Sequence, residues 1–288
     1  MTVLVTGARG AVGRGVLDGL LAAGTPAAAI RAAGRDPSRL AVPAGVATVA
    51  LDLGDSATWA SALDGVDEVF CYATGDLAAF AAAARDAGIS HVVLLSSAAV
   101  SETGAEQDAL AGAHADAERA LRGAGLTTTA LRPGAFCGNT AQWAREIRAE
   151  GVVGLPYPHA TTAPIHEGDI AAVAVALLTG AAAGERGADL PLTGPESLSF
   201  AEQVDVLTRE LGRDVGVRPV DPDAAREQMG RHVPPGIVDS LFRLWRTYDG
   251  VPTEVVGTVE RVTGHAPRPF AAWVREHRDL FVDDAAGA

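Results

Sequence analysis

Three glycines at three-residue spacing, Gly7, Gly10 and Gly13, stand in the run TGARGAVG directly after the apolar segment Met1 to Thr6. Glycine lets a chain turn sharply and lets backbone N–H groups come close to a ligand. Gly7 permits the turn out of a strand, Gly10 opens the backbone to a pyrophosphate, and Gly13 lets the next helix pack against the sheet. Val12, Val16, Leu17, Leu20 and Leu21 fall on one face of a predicted helix from Ala11 to Ala23. The amino end of that helix is positive and rich in free donors, as phosphate requires. Strand, glycine turn and helix in this order predict a dinucleotide site.

A second chemical signal comes from arginine. Sites for NAD close the second strand with a carboxylate for the ribose 2′-hydroxyl, whereas this chain supplies Arg31 and Arg35 there. A guanidinium fork suits a 2′-phosphate, and Arg9 in the glycine turn adds a second contact. NADP(H) is therefore expected ahead of NAD(H). The alternative is that these arginines are solvated surface, with Asp36 neutralising Arg35.

The elements that must position these groups alternate. Apolar runs at Ala27 to Ala33, Val46 to Leu51, Asp67 to Ala73, His91 to Ser96 and Thr127 to Leu131 are separated by helical stretches near Ser56 to Leu63, Asp76 to Ala87 and Ala105 to Ala124. This rhythm predicts parallel strands joined by right-handed crossovers, an α/β Rossmann doubly wound sheet. Ligands of such sheets lie beyond the carboxyl ends of the strands, so Arg35, Asp52, Thr74, Ser96 and Pro133 are expected to border one crevice. Past Gly138 the rhythm changes. A helix from Trp143 to Ala149, an irregular stretch, a helix from Asp169 to Leu178, a strand near Asp189 to Leu192 and helices over Ser199 to Leu211, Pro234 to Tyr248 and Phe270 to Phe281 predict a smaller, mostly helical substrate lid. The expected division is a cofactor domain over 1–138 and a lid over 139–288, with a soft boundary that strands of the second part may cross to rejoin the sheet.

Composition narrows the partners. The chain has 288 residues, 48% of them hydrophobic, and a net charge of −13, which opposes binding to nucleic acid or to an anionic membrane surface. A small-molecule partner, no membrane span and a cytoplasmic address are the expectations, in a monomer or homodimer. Cys71 and Cys137 are too few for a disulfide framework and read as buried free thiols. All 23 basic residues are arginine, so any mechanism that needs a lysine is excluded.

The motifs TGARGAVG, AAGRDP, LDLGD, HVVLLSSAAV, ERALRGAGLTTTALRPGAF, EGDIAAVAVALL and LTGPESLSFAEQV occur in an order that resembles the NmrA-like branch of the atypical short-chain dehydrogenase/reductase superfamily, from Thr2 to about Gly212. The resemblance implies that Gly7, Arg9, Gly10, Ala11, Val12 and Gly13 hold the pyrophosphate, that Asp52 and Leu53 contact the adenine, and that Ala73 and Thr74 line the ribose. It places the loop through Pro133 and Phe136 beside the nicotinamide. The wider superfamily's Tyr-x-x-x-Lys acid pair falls on Leu110 and His114, so neither the phenol nor the ammonium is present. His114 is either a proton donor or a structural partner of Glu118 at i, i+4. Ser96, Tyr157 and His159 are the other catalytic candidates, with Tyr72 beside the fourth strand. Two histidines and two carboxylates at His159, His166, Glu167 and Asp169 lack a recognised metal-ligand spacing, and no metal is expected.

A missing phenol and ammonium fit an acceptor that delocalises incoming charge by itself. The leading expectation is an NADPH-dependent reductase acting on a flat conjugated acceptor of the quinone, enone, imine or azo type, in natural-product biosynthesis. The alternatives are a non-catalytic NADP(H) redox sensor, and a cyclase or isomerase that keeps the cofactor as scaffold.

Overall fold

The computed structural model describes residues 1–72, 77–101 and 108–282. Its elements run β1 (Val3–Val5), α1 (Ala11–Ala22), β2 (Ile30–Gly34), β3 (Ala47–Ala50), α2 (Trp59–Leu63), β4 (Glu68–Tyr72), α3 (Leu77–Asp86), β5 (His91–Leu95), α4 (Ala109–Gly123) and β6 (Thr127–Pro133). The chain continues through α5 (Ala144–Glu150), β7 (Val152–Leu155), β8 (Thr161–Thr162), α6 (Glu167–Leu178), β9 (Asp189–Leu192), β10 (Leu198–Ser199), α7 (Phe200–Leu211), β11 (Gly216–Pro219), α8 (Pro222–Gly230), α9 (Pro235–Thr247), α10 (Thr258–Thr263) and α11 (Phe270–Glu276).

Strands β1, β4 and β5 are short apolar runs buried almost throughout, as a parallel sheet covered on both faces demands. They sit at the centre of a seven-stranded sheet in the order β3-β2-β1-β4-β5-β6-β9, every neighbouring pair parallel. Strand order reverses between β1 and β4, which opens a crevice at their carboxyl ends. Alternate side chains of the strands feed two cores. Val3, Val5, Phe70, Val93 and Leu131 pack under α1 and α6, while Leu4, Val69, Val92 and Leu94 pack under α2, α3 and α4. Glycines bring α1 against α6: a Cβ on Gly15 would stand 2.8 Å from Ala171 Cβ, and one on Gly19 2.8 Å from Val175 Cγ2.

Helix α6 and strand β9 return to the cofactor unit, because the α6 residues Ile170, Ala171, Val173 and Ala174 bury themselves against α1 and β9 pairs with β6 through Leu190 and Leu192. The outer lobe is built from the segments on either side of that return. It has its own core of Trp143, Ile147, Val153, Leu155, Leu207, Phe270 and Trp273. Two small sheets, β10 with β8 and β11 with β7, tie it together where the sequence reads as irregular. The second strand begins at Ile30 rather than Ala27, since Ala27–Ala29 form a 3-10 turn after Pro26. At α7 the capping box is complete, with Ser199 Oγ accepting from the Glu202 N–H at 3.1 Å and Glu202 Oε2 accepting from the Ser199 N–H at 2.7 Å. Among the described residues no helix is long and apolar enough to cross a membrane.

Candidate active site

The glycine turn has the geometry its spacing demands. Gly7 adopts φ +64, and the Gly10 N–H closes the turn on Gly7 O at 2.9 Å. Gly13 sits against the same peptide: a Cβ there would be 2.3 Å from Gly7 O and 2.7 Å from Gly7 C. The helix α1 opens on Gly10 with no side-chain cap and no acidic residue in its first turn. Its first N–H groups, Ala11 to Gly13, therefore face the crevice unshared, and the cradle fits a pyrophosphate. Val12 is buried in the core and leaves only its backbone N–H at the turn, whereas Ala11 is exposed at the mouth.

Around this turn the arginines separate into two kinds. Arg31 lies near the amino end of β2, and its Nη1 donates to Ala62 O and Asp64 O at 2.9 Å and to Ser61 O at 3.3 Å. It closes the carboxyl end of α2, which corrects the expectation that Arg31 joins the cofactor site. Arg35 follows the carboxyl end of β2, exposed and without an ion pair among the described residues. Asp36 does not neutralise it, because its carboxylate accepts from Ser38 N–H at 3.1 Å and Ser38 Oγ–H at 2.6 Å. Arg9 is exposed and unpaired in the same way, and so is Arg39 on the 3-10 turn Pro37–Arg39, a residue the sequence reading did not single out. Its only advance signal was its place one turn after Arg35. Asp52 and Leu53 follow β3; the Asp52 carboxylate accepts from Gly54 N–H at 3.0 Å while its carbonyl takes the Trp59 indole N–H at 2.8 Å. Leu53 is buried. Ala73 and Thr74 lie outside the described residues.

On the other side of the crevice a partly buried ionic cluster, centred on Glu118, fixes the ends of β5, β6 and β9. Ser96 Oγ donates to Glu118 Oε1 at 2.6 Å, and Arg132 grips the same carboxylate from Nε at 2.9 Å and Nη2 at 2.6 Å. Arg122 adds a contact at 3.2 Å, and both arginines reach Asp189. Burial alone would raise the Glu118 carboxyl, but the hydrogen bonds from Arg132 and Ser96 hold it below its usual range. Glu118 and Arg132 are in the sequence motif; that they meet at Ser96 required the fold. Ser96 is thereby spent on Glu118, and Glu118 is not free to pair with His114. Burial pushes the His114 imidazole below its ordinary value, with the Glu118 charge opposing that shift. Its Nδ1 is buried with no hydrogen-bond partner among the described residues.

Pro133 ends β6, buried, and the loop beyond it is stitched to the segment before α6: Ile165 N–H donates to Ala135 O and Cys137 N–H to Ile165 O, both at 2.9 Å, with Phe136 half-buried between them. Tyr72, 45% exposed at the end of β4, stands beside the glycine turn, its Cβ 3.5 Å from where a Gly7 Cβ would be.

The outer-lobe candidates are dispersed. The Tyr157 ring packs edge-on against Phe242, 6.1 Å between centroids, and Phe242, Trp245, Phe200 and Trp143 continue the aromatic series. His159 is exposed and holds Gly250 through its backbone carbonyl. His166 caps α6 and meets Glu276 at 3.1 Å, Glu167 accepts from Gly138 N–H at 2.8 Å, and Asp169 binds Arg268. These are structural partners, and among the described residues no three acidic, histidine or cysteine groups are placed to share a metal ion. Cys71 and Cys137 are buried and free, and burial pushes the Cys71 thiol up to about 12.

A family profile described as NAD(P)H-binding matches residues 7–181. The chain is 39% identical over 288 residues, 98% of its length and 100% of the relative's, to a (4-alkanoyl-5-oxo-2,5-dihydrofuran-3-yl)methyl phosphate reductase of Streptomyces griseus. It is 31% identical over 291 residues, 97% and 99% of the two chains, to NAD(P)H azoreductase of Xenophilus azovorans. The same fold occurs in the NADPH-dependent quinone oxidoreductase of Escherichia coli complexed with NADPH, with a TM-score of 0.80 at 23% identity over 96% of this chain and 100% of that one. It also occurs in the triphenylmethane reductase of Citrobacter sp. complexed with NADP(H), at 0.77 and 21% over 96% and 99%. The chain belongs to the NAD(P)H-binding family and is an NAD(P)H-dependent oxidoreductase.

Proposed function

We propose that this reductase prefers NADPH and reduces a flat, conjugated small molecule, foremost an alkene conjugated to a carbonyl, with quinone, imine and azo compounds as further acceptors of the same electronic kind. The observation that carries the cofactor choice is the set of unpaired guanidiniums, Arg9, Arg35 and Arg39, at the carboxyl ends of β1 and β2, where an adenosine 2′-phosphate would lie. The Ala11 to Gly13 N–H groups would hold the pyrophosphate. When bound, NADPH supplies the hydride. The protein's part is to orient the two reactants and keep water out, which suits an acceptor able to spread incoming charge over a conjugated system. The acceptor class is supported by the Streptomyces relative, whose name describes a dihydrofuranone carrying a second carbonyl group.

The test is NADPH oxidation against a panel holding an α-acyl-butenolide, a naphthoquinone and an azo dye, with NADH in parallel. Turnover of the butenolide with NADPH preferred supports the reading. Tight NADPH binding without oxidation by any acceptor would refute it in favour of a sensor, and conversion of substrate without net NADPH loss would identify a cyclase or isomerase.

A further inference from the structure

Helix α4 joins two parallel strands and so runs antiparallel to both, its amino end at the crevice. Glu118 is level with Ser96, at the carboxyl end of β5, because the two side chains meet at 2.6 Å. His114 lies one turn nearer the amino end of α4, about 6 Å along the axis, and therefore stands beyond the strand ends in the crevice itself.

Two neighbouring groups that a proton-transfer scheme would use are disabled. The hydroxyl proton of Ser96 is given to Glu118, which leaves Ser96 only lone pairs to offer. Glu118 stays ionised between Arg132 and Arg122 and has no proton to give. His114 is left with an unusual pair of ring nitrogens. Among the described residues Nδ1 is sealed from solvent without a partner, whereas Nε2 is neither hydrogen-bonded nor sealed. An orphaned buried lone pair costs less than an orphaned buried N–H, so the ring keeps its single proton on Nε2. The depressed imidazole agrees with a neutral ring.

We propose that His114 acts as a neutral hydrogen-bond donor, its Nε2–H directed at the carbonyl oxygen of the conjugated acceptor, where negative charge collects during reduction. The inference rests on the reductase reading above. Hydride adds to the carbon β to the carbonyl, the alkene π pair moves to form the new carbon–carbon π bond of an enolate, and the carbonyl π pair goes to the oxygen facing Nε2–H. The enolate takes its α-proton from solvent water on release from the crevice, so the imidazole enters and leaves with the same single proton. The donor already bonds the carbonyl oxygen in the bound complex and bonds it more strongly as charge develops there, so it raises kcat more than binding.

The test compares His114→Gln, which can present an amide N–H near the Nε2 position, with His114→Asn, which is too short to do so, and with His114→Ala. With the α-acyl-butenolide, Asn and Ala are expected to lose about 100- to 1,000-fold in kcat while Gln stays within about 10-fold of wild type. NADPH affinity should remain within about twofold in all three. A second arm needs no turnover: with 15N-histidine labelling, saturating α-acetyl-γ-butyrolactone and NADP+ should move the His114 Nε2–H proton downfield and leave Nδ1 unprotonated. Equal kcat in all variants, or a saturated lactone complex in which the Nε2–H signal is unmoved, would overturn the proposal. If wild type reduces no acceptor of the panel, the reductase reading fails, and the labelling arm still decides whether Nε2–H meets a carbonyl.

Discussion

Gly13→Ala sets two physical effects of opposite sign against each other. In an exposed helix interior, alanine for glycine stabilises by about 1 kcal/mol, because glycine loses more backbone freedom on folding. At Gly13 the added Cβ would stand 2.3 Å from Gly7 O and 2.7 Å from Gly7 C, both backbone atoms that cannot rotate aside. Relaxing that contact to an ordinary separation of about 3.5 Å requires a shift of roughly 1 Å between α1 and the glycine turn. Overpacking of this kind costs about 1–3 kcal/mol, and the rigid neighbours place it at the upper end. The net effect is about 2 kcal/mol of destabilisation, or a Tm lowered by about 4–8 °C in a chain of this size. The same shift misaligns the N–H groups of Ala11 to Gly13. Loss of one charge-assisted hydrogen bond, about 1.5–3 kcal/mol, weakens NADPH binding about 10- to 100-fold. Thermal unfolding of the free protein and calorimetric titration with NADPH measure both. Gly123→Ala is the control, since a Cβ there meets nothing within 4 Å, and it should stabilise. A Gly13→Ala variant that melts above wild type and binds NADPH normally would refute the reasoning.

Arg35→Ala should weaken NADPH binding about 10- to 100-fold and leave NADH within about twofold, whereas Arg31→Ala should lower Tm and leave both affinities alone; equal losses for the two nucleotides in Arg35→Ala would remove the 2′-phosphate assignment. Ser96→Ala should keep kcat within a few-fold while reducing thermal stability, because the hydroxyl serves Glu118; a thousand-fold loss in rate would make Ser96 a reacting group instead. Glu118→Gln removes the charge that Arg132 and Arg122 grip but leaves both arginines Asp189, and should cost about 1.5–3 kcal/mol near neutral pH, read from urea unfolding. Since the folded carboxyl is depressed, its stabilisation is present above the unfolded glutamate value and is lost as pH falls through the lower folded value. Wild-type stability should therefore decline more steeply on acidification than that of Glu118→Gln; parallel declines would show that the cluster does not govern acid stability.

What the sequence by itself determined was whatever local stereochemistry dictates. Only glycine fits the positive φ at Gly7 and the close approach at Gly13, so the turn, the helix after it and the apolar strands were legible as spacing. Tertiary structure decided which side chains meet. Periodicity does not report which sheet a strand joins, so the return of α6 and β9 to the cofactor unit depended on Ala171 finding Gly15 and on Leu190 pairing beside β6. Arg31 and Arg35 looked equivalent in sequence, but the first lies near the opening of β2 and reaches α2 while the second follows its end and reaches solvent. Ser96, Glu118, Arg132 and Asp189 are far apart in the chain, and only the sheet order brings their charges together. Charge satisfaction is a property of three-dimensional neighbours, and for that reason the cluster, and the imidazole nitrogen it leaves without a partner, became visible only in the folded molecule.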